Sequence, residues 1–280
     1  MNSGLLNRKI VPVSVVIPCY CGESTLARAL RSIYMQSAVP SEVIVIDDGS
    51  PDRSAAAMTE ICDTFNKIMP GKLLLHPIQS RQGPGNARNI GWDLATNKRI
   101  AFLDADDIWH PHKIEIQLSW MDRHRDSEMT CHKSIVASHE RDIHRFTPRD
   151  GFAARKIAPL VQLLSNRVHT RTVMLNRRIS YRFEATRKHS EDYQLWLEII
   201  LNDIPAYYLD VPLAYTFKAQ YGGAGLSGDL FKMEVGELQS YRYILRNKLI
   251  SAPLAISLFG LSLIKFAKRI VLRSVRQTLV

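Results

Sequence analysis

The chain has 280 residues, 46% hydrophobic and 23% charged, a balance that excludes a disordered or collagen-like polypeptide. Thirty-seven Lys and Arg against 27 Asp and Glu leave a net charge of +10. That surplus calls for an anionic partner: nucleic acid, an acidic membrane surface or a phosphorylated substrate.

The first half alternates strand and helix signals. The apolar run Ile10 to Ile17 is short and interrupted by Pro12, so it reads as a strand, and no signal peptide is expected. Its β-branched part, Val13 to Ile17, closes at Pro18. Leu26, Leu30 and Ile33 follow at helical spacing. Glu42 to Ile46 is a second buried strand ending in Asp47-Asp48-Gly49-Ser50, and Pro51 opens a helix to about Lys67. Lys72 to Leu75 is a third strand. Gly83-Pro84-Gly85 leads into a helix carrying Ala87, Ile90 and Leu94. Arg99 to Leu103 is a fourth strand ending at Asp104, and Ile114, Leu118 and Met121 mark another helix. Near-continuous apolar strands separated by helices imply an α/β protein with a parallel sheet covered on both faces. Ligands of such sheets bind beyond the carboxyl ends of the strands.

From about Ser127 the pattern is less regular, with a strand at Thr172 to Leu175, a helix from Glu191 to Leu201 and a flexible loop at Tyr221 to Gly225. No acidic residue follows Glu237, and Leu249 to Ile264 is uncharged. Cys19, Cys21, Cys62 and Cys131 form no C-x-x-C pair, the pattern of reduced thiols in a cytosolic chain. Cys19 and Cys21 are expected on different faces.

Five carboxylates crowd two strand ends: Asp47 and Asp48, then Asp104, Asp106 and Asp107. Like charges this close raise one another's pKa or recruit a cation. Magnesium-type sites use one or two carboxylates and complete themselves with substrate phosphates. The alternative is a turn and helix cap at each segment. Gly83 to Asn89 lacks the Gly-Lys-Ser/Thr ending of a phosphate-binding P-loop; it reads as a helix N-terminus which, with Arg88, faces an anion, or Arg88 makes a surface ion pair. Ser190-Glu191-Asp192 sets two carboxylates in a first helical turn, either as a general base or as dipole complementation with Ser190 as cap.

These segments resemble glycosyltransferase family 2 of the GT-A fold. The resemblance lies in Val15-Val16-Ile17-Pro18-Cys19-Tyr20 with Glu23, Val45 to Ser50, Gly85 to Gly91, and Phe102 to Asp107, in order across roughly residues 12–125. Ser190-Glu191-Asp192 with Leu195-Trp196 is similar to the family's Glu-Asp motif. The resemblance implies a mostly parallel GT-A-like sheet covered by helices. It also implies a UDP-sugar donor, manganese or magnesium, and inversion at the anomeric carbon. Pro18, Tyr20 and Glu23 would line the nucleotide site, and Asp47 and Asp48 would meet the uracil. Arg88 would lie near the donor, as would Glu191 and Trp196. Asp106 would be the metal ligand, Asp104 a ribose or metal-shell contact, and Asp192 the base. Cys21 stands where many members have Asn, and the acceptor half matches only around the Glu-Asp motif.

On this reading residues 1–125 bind the nucleotide sugar, 126–237 form the acceptor side, and 238–280 form a basic amphipathic helical tail. In that tail Lys265, Arg269, Arg273 and Arg276 share one face, with Leu263, Ala267, Val271 and Val275 on another. Such a helix would lie on an anionic membrane or pack as an ordinary surface helix. The expected partners are a saccharide acceptor, lipid-linked in bacterial surface-polysaccharide assembly, and the cytoplasmic face of the inner membrane, without nucleic acid. Two alternatives stay open: a sugar nucleotidyltransferase, against which the first loop lacks a basic residue, and a non-enzymatic membrane or nucleic-acid adaptor.

Overall fold

Strand β1 (Lys9–Cys19) is buried without a break from Val13 onward. Its side chains alternate between two layers. Val13, Val15 and Ile17 pack with Leu26, Leu30, Ile33 and Met58 on one face of the sheet. Val16 packs with Ile44, Ile46, Trp92 and Phe102 on the other. A strand buried on both faces needs helices above and below it, and the chain supplies them. The computed structural model describes residues 8–139, 151–187, 189–217 and 229–278, the last six by backbone alone.

After β1 come α1 (Leu26–Tyr34), β2 (Ala38–Asp47), α2 (Asp52–Asn66), β3 (Lys72–Pro77), α3 (Pro84–Leu94) and β4 (Arg99–Phe102). Every element read from the first hundred residues is present. Pro51 caps α2 from just outside the helix. β1 pairs in parallel with β2 on one side and β4 on the other, and β2 with β3. The strand order β3-β2-β1-β4 reverses direction at β1, which opens a crevice at the carboxyl ends of β1 and β4.

The remainder comprises β5 (Ile108–Trp109), α4 (Lys113–Arg123), β6 (Met129–Val136), β7 (Ala154–Lys156), α5 (Pro159–Leu164), a 3-10 turn at Thr170–Thr172, β8 (Met174–Asn176), α6 (Glu191–Leu201) and β9 (Ala206–Thr216). The expected strand at 172–175 is thus a turn running into β8. β8 joins β4 antiparallel, β6 joins β8 antiparallel, β9 runs parallel to β6, and β5 and β7 lie antiparallel on β9. Most of the paired length is parallel. The sheet is thus mostly parallel, as the resemblance implies, with the antiparallel pairings of β5, β7 and β8 confined to this half.

Two helices follow, α7 (Leu230–Arg246) and α8 (Ala252–Thr278). Leu163, Tyr193, Leu197, Tyr241, Ile244 and Leu258 form a small core joining α5, α6, α7 and α8. The boundary expected at 237 therefore falls inside a helix that packs on α6. Of the basic stripe, the two described residues face the protein body. Arg269 pairs with Glu234 of α7 at 2.7 Å, and the Lys265 ammonium donates to the Leu164 carbonyl. The side chains of Arg273, Arg276 and Val275, and the loop at 221–225, lie outside the described residues. No helix among the described residues is long and apolar enough to cross a membrane.

Candidate active site

The carboxyl end of β2 runs straight into a turn. The Asp47 carboxylate accepts from the Ser50 amide at 3.0 Å. Asp48 accepts from the Gln82 amide at 2.8 Å and the Gly83 amide at 2.9 Å. Both aspartates are buried. Asp48 thus ties β2 to the loop that starts α3. Gly83 has φ of 101° there, a conformation that favours glycine, and Pro84 occupies the first helical turn. The Tyr20 ring, partly exposed beside this turn, lies under the Arg81 guanidinium at 3.9 Å.

Beyond β4 the chain turns sharply, with the Asp107 amide donating to the Asp104 carbonyl at 3.0 Å. Arg28 of α1 donates to the Asp106 carbonyl at 3.0 Å and fixes the turn from the other side. Asp104 and Asp106 are half-buried, and Asp107 is buried. Burial pushes the Asp107 carboxyl up to about 7; Arg171, 3.3 Å away, opposes that rise, while Asp104 and Asp106 add to it.

Arg88 of α3 is the centre of the site. Its guanidinium donates to Asp104 at 2.6 Å and to Glu191 at 2.9 Å, and sits over the Phe183 ring at 5.3 Å. Burial by itself would lower its pKa, but Asp104 and Glu191 more than offset this and raise it. One side chain so joins the Asp-rich strand end to the first turn of α6. Asn89, next in sequence, donates to the Phe183 carbonyl at 2.8 Å and accepts from the Phe183 amide at 3.0 Å. A Cβ on Gly85 would stand 3.0 Å from the Glu191 side chain, so glycine lets α6 approach this closely.

Ser190 holds φ of 56°, left-handed and strained for serine. Its hydroxyl donates to the Met233 carbonyl of α7 at 3.4 Å and does not cap α6, which corrects the capping alternative. Asp192 follows, half-buried. It accepts from its neighbour's amide, Tyr193, at 2.7 Å and from the Thr170 hydroxyl at 3.0 Å. Burial raises its pKa, against the pull of Arg88 and of the Thr170 hydrogen bond. A carboxylate whose pKa is moved toward neutrality is suited to accept a proton.

Of the expected residues, Arg88, Asp104, Glu191 and Asp192 come together, with Asp106 in the same turn as Asp104. Asp47, Asp48, Pro18 and Tyr20 gather around the end of β1 and β2, with Glu23 exposed just beyond. Two expectations change. Arg88 is almost wholly buried and committed to two carboxylates, so it braces the site. Trp196 has no exposed surface and meets Phe183 edge-on at 5.6 Å, so it backs the site from the core. Sequence reasoning missed Thr170, Arg171, Arg81 and Phe183. None stands in a regular element with a periodic signal; each arrives through the fold. Among the described residues no three His, Cys, Asp or Glu side chains converge to hold a metal by themselves. Asp104 and Asp106 suit a divalent ion completed by substrate phosphates.

The family model for glycosyl transferase family 2 matches residues 14–186, more than half of the chain. The chain belongs to glycosyl transferase family 2. Among curated members of the family, it is 30% identical over 188 residues to WfgD of Escherichia coli, a UDP-Glc:alpha-D-GlcNAc-diphosphoundecaprenol beta-1,3-glucosyltransferase, covering 67% of this chain and 69% of that one. It is 28% identical over 235 residues to an uncharacterized glycosyltransferase of Haemophilus influenzae, 82% of this chain and 87% of the other. A Rickettsia felis member is 30% identical, but this chain spans only 39% of its length. Two solved structures share the fold. Staphylococcus aureus TarS 1–349 in complex with UDP-GlcNAc has a TM-score of 0.67 at 18% identity, covering 90% of this chain and 72% of that one. The Pyrobaculum calidifontis mannosyltransferase PcManGT, with GDP-Man and Mn2+, has a TM-score of 0.61 at 16% identity over 99% of this chain and 82% of that one. The family's GT-A fold is therefore the fold of this chain, and the chain is a glycosyltransferase.

Proposed function

We propose that this enzyme transfers a sugar, with inversion, from a UDP-sugar to a saccharide acceptor carried on a lipid, as a step in polysaccharide biosynthesis, while attached peripherally to the cytoplasmic face of the inner membrane. The observation that carries the reading is the Arg88 bridge. It holds the Asp-rich strand end and the Glu-Asp turn together across the crevice where a sheet of this topology binds ligands. The relative WfgD supports the donor and acceptor classes by its name.

In this mechanism Asp192 accepts the proton of the acceptor hydroxyl as that oxygen attacks the anomeric carbon and the UDP leaves from the opposite side. No protein nucleophile is needed, because inversion takes one displacement. Thr170 and the Tyr193 amide orient the Asp192 carboxylate. Tyr20 and Glu23 border the nucleotide; Pro18, Asp47 and Asp48 shape the floor beneath it. Asp106, with Asp104 beside it, would hold a manganese or magnesium ion, which supplies charge neutralisation to the departing diphosphate.

The test is Asp106→Ala. Its side chain is half-buried at a turn fixed by backbone contacts, so the variant folds with near-normal thermal stability. Manganese-dependent transfer is abolished. Near-normal turnover of the variant with EDTA present would remove the metal assignment.

A further inference from the structure

Helix α8 is amphipathic in the inverse sense to a water-facing helix. Ala255, Leu258 and Ser262 are buried against the body of the protein, and the two charges on that side, Lys265 and Arg269, are spent on the Leu164 carbonyl and on Glu234. Ser262 donates to the other Glu234 oxygen at 2.8 Å. The opposite side carries Ile256, Leu263, Ile264 and Val271, exposed by 72%, 52%, 69% and 61%. Gly260 and Ala267 lie between them. These positions recur at helical spacing and form one apolar stripe about 22 Å long at 1.5 Å per residue. Phe231 of α7, 67% exposed, extends the patch beside Phe266. Among the α8 side chains described, Lys268 is the one exposed charge.

A helix that faces water with its apolar side and turns Lys265 and Arg269 inward has a second apolar phase to meet. Among the described residues, no helix is long and apolar enough to cross a membrane. From Leu238 onward the chain has eight Lys and Arg and no Asp or Glu. A second copy would bring this same positive segment against itself, whereas an anionic lipid surface complements it. Arg242, Arg246 and Lys248 are exposed on the adjoining turns.

We propose that α8 seats the enzyme on an anionic bilayer by immersing the stripe Ile256, Leu263, Ile264 and Val271 at the acyl boundary, with the surrounding bases meeting lipid phosphates. This deepens the peripheral attachment proposed above and rests on it: the apolar stripe, and not the Lys265–Arg269 face, is the membrane-contacting side. Because α8 shares a hydrophobic core with α7 and α6, the seat is joined through that core to the helix that carries Asp192.

The test is flotation of the full chain with vesicles of phosphatidylethanolamine and phosphatidylglycerol, and with phosphatidylcholine alone. The variants are the triple exchange Leu263→Gln, Ile264→Gln, Val271→Gln and, separately, Lys268→Gln. The three exchanged side chains are exposed, so the thermal transition stays at the wild-type value. The wild type floats with the anionic vesicles, the triple variant loses roughly tenfold or more of that binding, and Lys268→Gln loses a few-fold at most. Undiminished flotation of the triple variant overturns the stripe but leaves peripheral attachment standing. A wild type that floats with neither vesicle overturns both. A wild type that sediments as a dimer, becomes monomeric in the triple variant and binds no vesicle replaces the bilayer with a second copy.

Discussion

Asp192→Asn lowers turnover by about 10²–10⁴-fold, the range of a lost general base, while donor binding is kept. The exchange is nearly isosteric. The amide oxygen still accepts from the Tyr193 amide, and the amide nitrogen faces a Thr170 hydroxyl that rotates to accept. The fold around α6 therefore stays intact, and the loss is chemical. The pH profile carries the same signature. Burial raises the Asp192 pKa above the ordinary aspartate value, and the base acts only when ionised. Wild-type kcat/KM thus falls as pH drops through that raised pKa, and the acidic limb lies higher than for an exposed aspartate. Thr170→Val removes a hydrogen bond to the ionised form and shifts the limb further up. A variant Asp192→Asn that loses donor binding while transferring normally per bound donor would make this carboxylate a structural element of the helix start.

Arg88→Ala has the second large effect, and it combines stability with rate. It leaves the Asp104 and Glu191 carboxylates without the cation between them. Removing one partner of a buried charge pair costs about 3–5 kcal/mol. At about 2–4 °C per kcal/mol for a chain of this size, the thermal transition drops by about 6–20 °C, and transfer is lost because the strand end and the α6 turn separate. Arg88→Lys does not rescue it, since an ammonium cannot span two carboxylates in the geometry of the guanidinium fork. Calorimetry with donor-saturation kinetics on the same samples checks this. An unchanged transition with only a raised donor KM would mean that Arg88 serves the donor directly.

The parallel half of the fold was legible because its strands are short β-branched runs buried on both faces, and because Gly83-Pro84 and Pro51 mark helix starts by local chemistry. The second half was not. β9 contains Pro212, which argues against a strand, yet the structure absorbs it where the register with β6 shifts at Lys133. β6 begins Met129-Thr130-Cys131-His132, where the polar Thr130 and His132 are buried along with their apolar neighbours, so the pattern does not mark it as a core strand. The Asp-rich strand ends and the Glu-Asp turn were visible as residue types. Their connection through Arg88 was not, since 103 positions separate it from Glu191. Arg88 itself read equally well as an anion contact or a surface ion pair, because sequence does not reveal that Gly85 lets α6 close over it. In the tail the sequence leaves two settings open for the basic stripe, a membrane surface or the protein body, because the pairing of Arg269 with Glu234 belongs to the packing of α7 and α8.

The central claim is UDP-sugar transfer at the crevice braced by Arg88, and a donor screen tests it most directly. The purified chain is incubated with manganese, a lipid-linked saccharide acceptor fraction and a panel of nucleotide sugars, and the released nucleotide is measured. The account predicts release of UDP from one or a few UDP-sugars, dependent on acceptor and absent from Asp192→Asn. Consumption of a nucleoside triphosphate with a sugar phosphate, and no UDP release from any UDP-sugar, would contradict it.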